Sequence, residues 1–237
     1  MHLPLIGIIS RAAASGYSAN ATNFDGTNDV MKRGAGLTGA ADSKKVTICL
    51  FIKSNSDTGT KVPLGSTGGA VHIELYATGQ LAFRIENASG TYIVDIATST
   101  GVVEVADGWV SLLFSVDLAV ASSARLYVND VSDKNVAAET NDTMDFTLAN
   151  WSVGAMANST LKFNGCLSEF YFNIGEYIDF DTASERRKFI DASVKPVDLG
   201  SDGSTPTGTA PIMYFPNASG TFEQNEGTGG DFTVTGA

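Results

Sequence analysis

Gly34–Gly39 reads GAGLTG, which matches the letter pattern G-x-G-x-x-G. Between a strand and a helix, that pattern turns backbone N–H groups toward a dinucleotide pyrophosphate. It works only where a helix begins inside it, and here AADSKKVTICL follows and runs straight into a strand-like segment. The stretch therefore reads as a glycine-rich loop. Carboxylates also come in close pairs: Asp25/Asp29, Asp179/Asp181, Asp198/Asp202 and Glu223/Glu226. Such pairs do glycosidase acid–base work when held about 5–10 Å apart across a cleft, or bind calcium through oxygen. In a chain of net charge −11 they also arise from composition alone. DLGSDG (Asp198–Gly203) lacks the alternating ligands and closing glutamate of an EF-hand.

The histidines are His2 and His72 and the cysteines Cys49 and Cys166, none at metal-ligand spacing, which excludes a zinc site. His72 falls in a cleanly alternating segment and is expected to be a satisfied or exposed strand residue rather than a general base. Both cysteines are expected to be small buried hydrophobes, with one inter-strand disulfide as the alternative. There is no G-x-S-x-G elbow and no Walker loop. Six Asn-x-Ser/Thr sequons begin at Asn20, Asn87, Asn141, Asn150, Asn158 and Asn217, several inside expected strands, so they reflect composition. No catalytic, cofactor-binding or metal-binding residue is assigned, and the ligand-binding residues stay unknown.

The elements that would position any site are strands. KVTICLFIK (Lys45–Lys53) is apolar on both alternating faces, as in a strand buried on two sides. AVHIELYA (Ala70–Ala77) and QLAFRIE (Gln80–Glu86) flank Thr78-Gly79 as a hairpin. GTYIVDIAT (Gly90–Thr98) and WVSLLFSVDL (Trp109–Leu118) read as a further pair. ARLYVNDV (Ala124–Val131) enters an Asn129-Asp130 turn, and FTLANWSVGA (Phe146–Ala155) and KFNGCLSEFYFN (Lys162–Asn173) follow. No proline lies between Pro63 and Pro196, as central strands require. One short helix is expected near 183–191, opened by a Thr182-x-x-Glu185 capping box. Arg186, Arg187 and Lys188 on it read as a solvated face. IMYF (Ile212–Phe215) and DFTVTG (Asp231–Gly236) supply closing strands within 197–237.

The sum is an all-β, antiparallel two-sheet jelly-roll sandwich, one domain over 23–237. Before it, MHLPLIGIISRAAASGYSANA carries an apolar stretch, Leu3–Ile9, with no Lys or Arg ahead of it. That is not the pattern of a standard secretion signal, and residues 1–22 read as an apolar arm that docks on something, such as a neighbouring subunit.

The chain has 237 residues, 43% of them hydrophobic and 17% charged, with 25 glycines. That is enough apolar surface for a sizeable core rather than an acidic disordered tail. With 26 acidic against 15 basic side chains, binding to nucleic acid is not expected. No apolar run approaches the roughly 20 residues of a membrane-spanning helix.

Several segments, in order, resemble the concanavalin A-like, laminin-G-type sandwich. NFDGTNDVM (Asn23–Met31) resembles its opening strand and VTICLFIK the second, with Phe51 where tryptophan is common. DGWVSLLFSVD (Asp107–Asp117) and ARLYVNDV resemble its tryptophan strand and the strand after it, with Asp130 in a glycine position. SVGA and FNGCLSEFYFN, within Ser152–Asn173, resemble its late hairpin. The resemblance implies calcium as a conceivable cofactor, through Asp25, Asp29 or Glu169, but Ser168-Glu169 stands where Asp-Glu is usual. Glucanases of this fold carry E-x-D-x-E, which is absent, so the chain is not expected to be an enzyme.

RKFIDASVKPVDLGSDGSTPTGTAPIMYF and NEGTGGDFTVTGA resemble the endings of laminin-G-like virion proteins of tailed bacteriophages, whose last strand lies beside the opening one. The resemblance implies a structural protein of a phage particle, decoration- or fibre-like, located in the virion. Its expected partners are other virion proteins and sister copies joined through the arm, with host-surface glycan as a further contact. The alternative is a calcium-assisted carbohydrate-binding lectin module, and a glycan-cleaving enzyme ranks last. Tyr76, Trp109, Tyr127 and Trp151 are the candidate sugar-stacking aromatics, each expected to serve core packing instead.

Overall fold

Because Val46, Ile48, Leu50 and Ile52 alternate with Thr47, Cys49 and Phe51, the strand Lys45–Ser54 buries both faces and needs cover on two sides. The computed structural model, which describes residues 17–216 and 223–235, shows what supplies each cover. In chain order the strands are β1 (Thr22–Asp25), β2 (Val30–Arg33), β3 (Lys45–Ser54), β4 (Lys61–Ser66), β5 (Val71–Leu75), β6 (Leu81–Glu86), β7 (Tyr92–Ala97) and β8 (Val110–Asp117). They continue with β9 (Arg125–Val128), β10 (Val131–Ser132), β11 (Asn135–Glu139), β12 (Trp151–Val153), β13 (Asn164–Ile174), β14 (Met213–Phe215) and β15 (Thr233–Thr235). The α-helix among the described residues is α1 (Ala183–Arg186).

The strands form two antiparallel sheets. The first, seven-stranded, runs β1-β13-β3-β8-β9-β10, with β14 also on β13. The second, eight-stranded, runs β11-β7-β6-β5-β4-β12-β2-β15. Their inner faces meet in one apolar core, and Phe83 of β6 stacks on Phe114 of β8 with ring centres 4.4 Å apart. The two-sheet sandwich expected from the sequence is thus observed, and its last strand β15 does pair with β2. β1 and β2, joined across Gly26, lie in different sheets, so the opening segment crosses the sandwich.

Above the first sheet lies a second apolar cluster. Cys49, Phe51, Leu113, Tyr127 and Tyr171 point out of that sheet and are covered by Ile178, Phe180, Phe189, Ile190 and Leu199. The segment after β13 is therefore a lid of the fold. α1 is only one turn of it, shorter than the expected 183–191, because the chain turns away to bury Phe189 and Ile190.

Other expectations need correction. The Thr182 side chain makes no capping bond, and Glu185 pairs with Lys188 at 2.7 Å instead of reaching back. Arg187 is exposed as expected, but Arg186 is largely buried, and both bind Asp130, with Nε–Oδ1 and Nη2–Oδ2 each at 2.5 Å. β7 and β8 are not a pair; they sit in different sheets, with β7 between β6 and β11. Of Phe146–Ala155 only Trp151–Val153 is strand. Gly34–Gly39 is indeed a loop, which follows β2 and is tied by Thr38 N–H to the Gly229 carbonyl at 2.9 Å. Cys49 and Cys166 are free thiols; Cys49 is buried, but Cys166 is half-buried at the first sheet's edge region beside Asn23.

Tyr17–Ala21, the described part of the arm, lies against β13: Tyr17 donates to Glu169 Oε1 and Ser168 donates to the Asn20 carbonyl, both at 2.5 Å. Residues 1–16, which include Leu3–Ile9, lie outside the described residues. No helix among the described residues is long and apolar enough to cross a membrane.

Candidate functional site

Among the described residues, no such lid covers the outer face of the second sheet. Alternation sends Val71, Ile73, Leu75, Leu81, Phe83 and Ile85 into the core, and turns His72, Glu74, Ala82 and Arg84 outward. The register then aligns His72 with Arg84 and Arg84 with Asp95 across β5, β6 and β7. One step along, Glu74 stands opposite Ala82, and Ala82 opposite Ala97. Charged side chains thus stand beside alanine positions, and the result is a shallow depression of about 530 Å³. Tyr76, Gln80, Arg84, Asp95 and Asn135 line it, with Thr60 and Thr78.

Arg84 is the hub. Its Nη1 lies 2.5 Å from Glu74 Oε2 and its Nε 3.2 Å from Asp95 Oδ1. The guanidinium carbon is 5.7 Å from the Tyr76 ring centre and 5.8 Å from that of Tyr92, within cation–π range of both. Tyr76 donates its hydroxyl to Glu74 Oε2 at 2.7 Å. His72 places Nδ1 2.7 Å from the Gly69 carbonyl, which can only accept, so Nδ1 donates there, and Nε2 faces Glu74 at 3.8 Å. His72 is therefore a satisfied strand residue, as its pattern suggested.

The His72 ring, then the Tyr76 hydroxyl and Arg84, hold the Glu74 carboxyl below its ordinary range against the opposing effect of burial. Burial first, and then Glu74, push the Tyr76 phenol up to about 12. The arrangement offers carboxylate acceptors, guanidinium and amide donors, and aromatic rings. Those are the groups that bind vicinal hydroxyls and stack on the C–H face of a sugar ring.

A second depression, about 390 Å³, opens where the lid ends on the first sheet. Trp109, 44% exposed, and Phe51 line it, with Tyr17, Ala19 and Ala21 contributing from one segment and Val194, Lys195 and Pro196 from the lid. Its hydroxyls are already engaged, Tyr17 with Glu169 and Ser168 with Asn20. It is an apolar groove with few groups left to read a ligand.

The four nominated aromatics therefore separate. Trp151 (1% exposed) and Tyr127 (8%) are packed in the interior, as expected. Trp109 and the half-buried Tyr76 are not; each lines a depression. The nominated carboxylates meet only within local turns or on one arginine, not across a cleft. Asp25 Oδ1 accepts from the N–H groups of Thr27, Asn28 and Asp29, closing the β1–β2 turn. Asp179 and Asp181 both bind Arg125, at 3.0 and 2.7 Å. Glu169 is buried between Tyr17 and Tyr214. Among the described residues, no three of His, Cys, Asp and Glu are gathered to hold a metal ion. Sequence reasoning missed Arg84, Glu74 and Asp95 as a group. The signal was the β5–β6 hairpin register, which sets Arg84 opposite His72 and diagonal to Glu74.

No curated protein matches the chain in sequence. Among solved structures, a candidate carbohydrate-binding protein from Bacteroides ovatus ATCC 8483 aligns with a TM-score of 0.55 at 12% identity. The alignment covers 92% of this chain but only 58% of that one, so the likeness is one of fold over part of a longer protein. Mouse laminin alpha1 domains LG4-5 align over 68% of this chain and 43% of theirs, at 18% identity and a TM-score of 0.45. The Ruminococcus gnavus IT-sialidase CBM40 domain, bound to α2,3-sialyllactose, aligns over 68% and 92%, at 12% identity and a TM-score of 0.46. The model of the concanavalin A-like lectin/glucanases superfamily matches residues 25–173, from the end of β1 to the end of β13 and more than half of the chain. With its lectin-like sandwich and that match, the chain belongs to the concanavalin A-like lectin/glucanases superfamily.

Proposed function

We propose that the chain is a non-catalytic, glycan-contacting module of a tailed-bacteriophage particle, and that the open face of β5, β6 and β7 meets the sugar. The observation that carries the contact is Tyr76 beside the Glu74–Arg84–Asp95 row, on a sheet face that no described segment covers. The particle context rests on the resemblance of the C-terminal segments, and in the structure these form β14 and β15. Attachment to sister copies or other virion proteins falls to residues 1–22.

Catalysis does not fit the depression. A glycosidase general acid needs a carboxyl raised toward neutrality, whereas Glu74 is shifted the other way. The carboxyl that burial does raise, Glu169, is enclosed by the hydroxyls of Tyr17 and Tyr214. In this reading the contact is made by protein groups, without a bridging calcium ion.

The test is binding of the purified chain to a broad glycan array, first with calcium and then with EDTA, beside Tyr76→Ala. Retained binding in EDTA that drops roughly two- to tenfold in Tyr76→Ala supports the reading, since an aromatic contact contributes about 0.5–1.5 kcal/mol. Binding lost in EDTA supports the calcium-assisted lectin instead. No binding in either condition leaves an assembly role alone, and sedimentation of the intact chain as an oligomer would then be the result to seek.

A further inference from the structure

We infer that the depression on the second sheet selects uncharged sugars and discriminates against those bearing a carboxylate; this rests on the glycan reading above. An exposed arginine in a lectin-like site suggests an anion receptor at first sight, because its fork fits a carboxylate in two-point contact. Arg84 is not available in that way. Nη1 is held by Glu74 at 2.5 Å and Nε by Asp95 at 3.2 Å, so internal carboxylates take both the end and the side of the fork.

The charges confirm the direction. Arg84 and Asp95 are the charged side chains lining the depression, with Glu74 bound to Arg84 from the neighbouring strand. One cation against two anions leaves the group at −1, given that Glu74 stays ionised below its usual range. A sugar carboxylate would have to displace Asp95 or Glu74 and would then leave that anion unpaired at 24% or 14% side-chain exposure. It would also approach against the field of a chain at −11. Neutral hydroxyls face no such conflict. They can donate to the Asp95 oxygen that Arg84 does not hold and accept from the amide of Asn135, which is exposed at the rim.

The experiment uses matched pairs of immobilised galactose-terminated glycans, with and without terminal sialic acid, and the full chain as analyte. The wild type is expected to bind the neutral member at least about tenfold more tightly, with the gap narrowing as salt is raised. Asp95→Asn, which keeps the side-chain shape and frees one side of Arg84, is expected to shrink the preference to about threefold or less. Its fold is checked by circular dichroism and thermal unfolding. Equal or tighter wild-type binding to the sialylated member overturns the inference. So does a folded Asp95→Asn that keeps the full preference, because the discrimination would then lie elsewhere. Binding to neither member overturns the glycan reading itself, and the inference with it.

Discussion

The Tyr214 hydroxyl donates to Glu169 Oε2 at 2.8 Å, across a gap in the edge of the first sheet. β3 occupies one side of β13, so β1 and β14 share the other, β1 reaching Leu167 and β14 starting at Phe170. Ser168 and Glu169 fall in the break. There the β13–β3 register shifts, and Glu169 takes a positive φ of 48°, which turns its carboxylate toward both flanking segments. With Tyr17 on the other oxygen, one buried carboxylate fastens the chain before β1, the bulge and β14.

Burial pushes the Glu169 carboxyl above its ordinary value of 4.5, although the two tyrosine hydroxyls favour the ionised form. The folded state therefore holds a proton that the unfolded state has already released. This group's contribution is fully present below pH 4.5 and is lost as pH rises through the folded value. In urea unfolding, the stability of the wild type relative to Glu169→Gln should fall as pH rises above 4.5 and level off once the folded value is passed. A difference that is constant with pH would show that burial does not control this carboxyl.

Asp130 joins the lid to the β9–β10 turn. Arg187 and then Arg186 hold its carboxyl below the ordinary value of 3.8, and Arg186 also lies 4.5 Å over the Tyr127 ring. Asp130 sits at φ 68°, which asparagine tolerates, so Asp130→Asn removes charge without new backbone strain. The expected cost is about 1.5–3 kcal/mol at neutral pH, as for hydrogen bonds to a charged group. Because the folded pKa is depressed, the stabilisation is present above pH 3.8 and lost as pH falls through the folded value. The variant should accordingly lose part of the wild type's acid sensitivity in that window, and proteolysis should cut its lid sooner.

The two tryptophans should behave oppositely. Trp151 is 1% exposed and tilted against Phe172 at 5.8 Å, yet its indole N–H has no partner among the described residues. Trp151→Ala should cost about 3–5 kcal/mol. Trp151→Phe should cost much less, since no hydrogen bond goes with the N–H. Trp109→Phe, on the groove, should stay within about 0.5 kcal/mol and remove most acrylamide-quenchable fluorescence. Strong quenching that survives in Trp109→Phe would place Trp151 in contact with solvent and contradict the packing.

Much of the frame was readable because it depends on local alternation. The two apolar faces of Lys45–Ser54 foretold a strand covered twice, and the Tyr76–Gln80 turn closes the β5–β6 hairpin as its residues implied. Strand β4 was illegible because Pro63 and Gly65 break its pattern, and its register does shift between Lys61 and Leu64. β11 is largely exposed, so no apolar period marks it. The β7/β8 error has the same root, since sequence shows which segments are strands and not which sheet receives them. The candidate site was hidden for that reason too. Arg84, Glu74 and Asp95 come from three strands, β6, β5 and β7, and become neighbours only through register.

β15 hydrogen-bonds to β2 with Thr233 opposite Lys32, so the rim of the second sheet joins residues some 200 positions apart. During synthesis the β2 edge is made early and stays unpaired until residue 235 has left the ribosome. A nascent chain thus carries an open template for mispairing until β15 has emerged, and closing that rim is a step of high contact order.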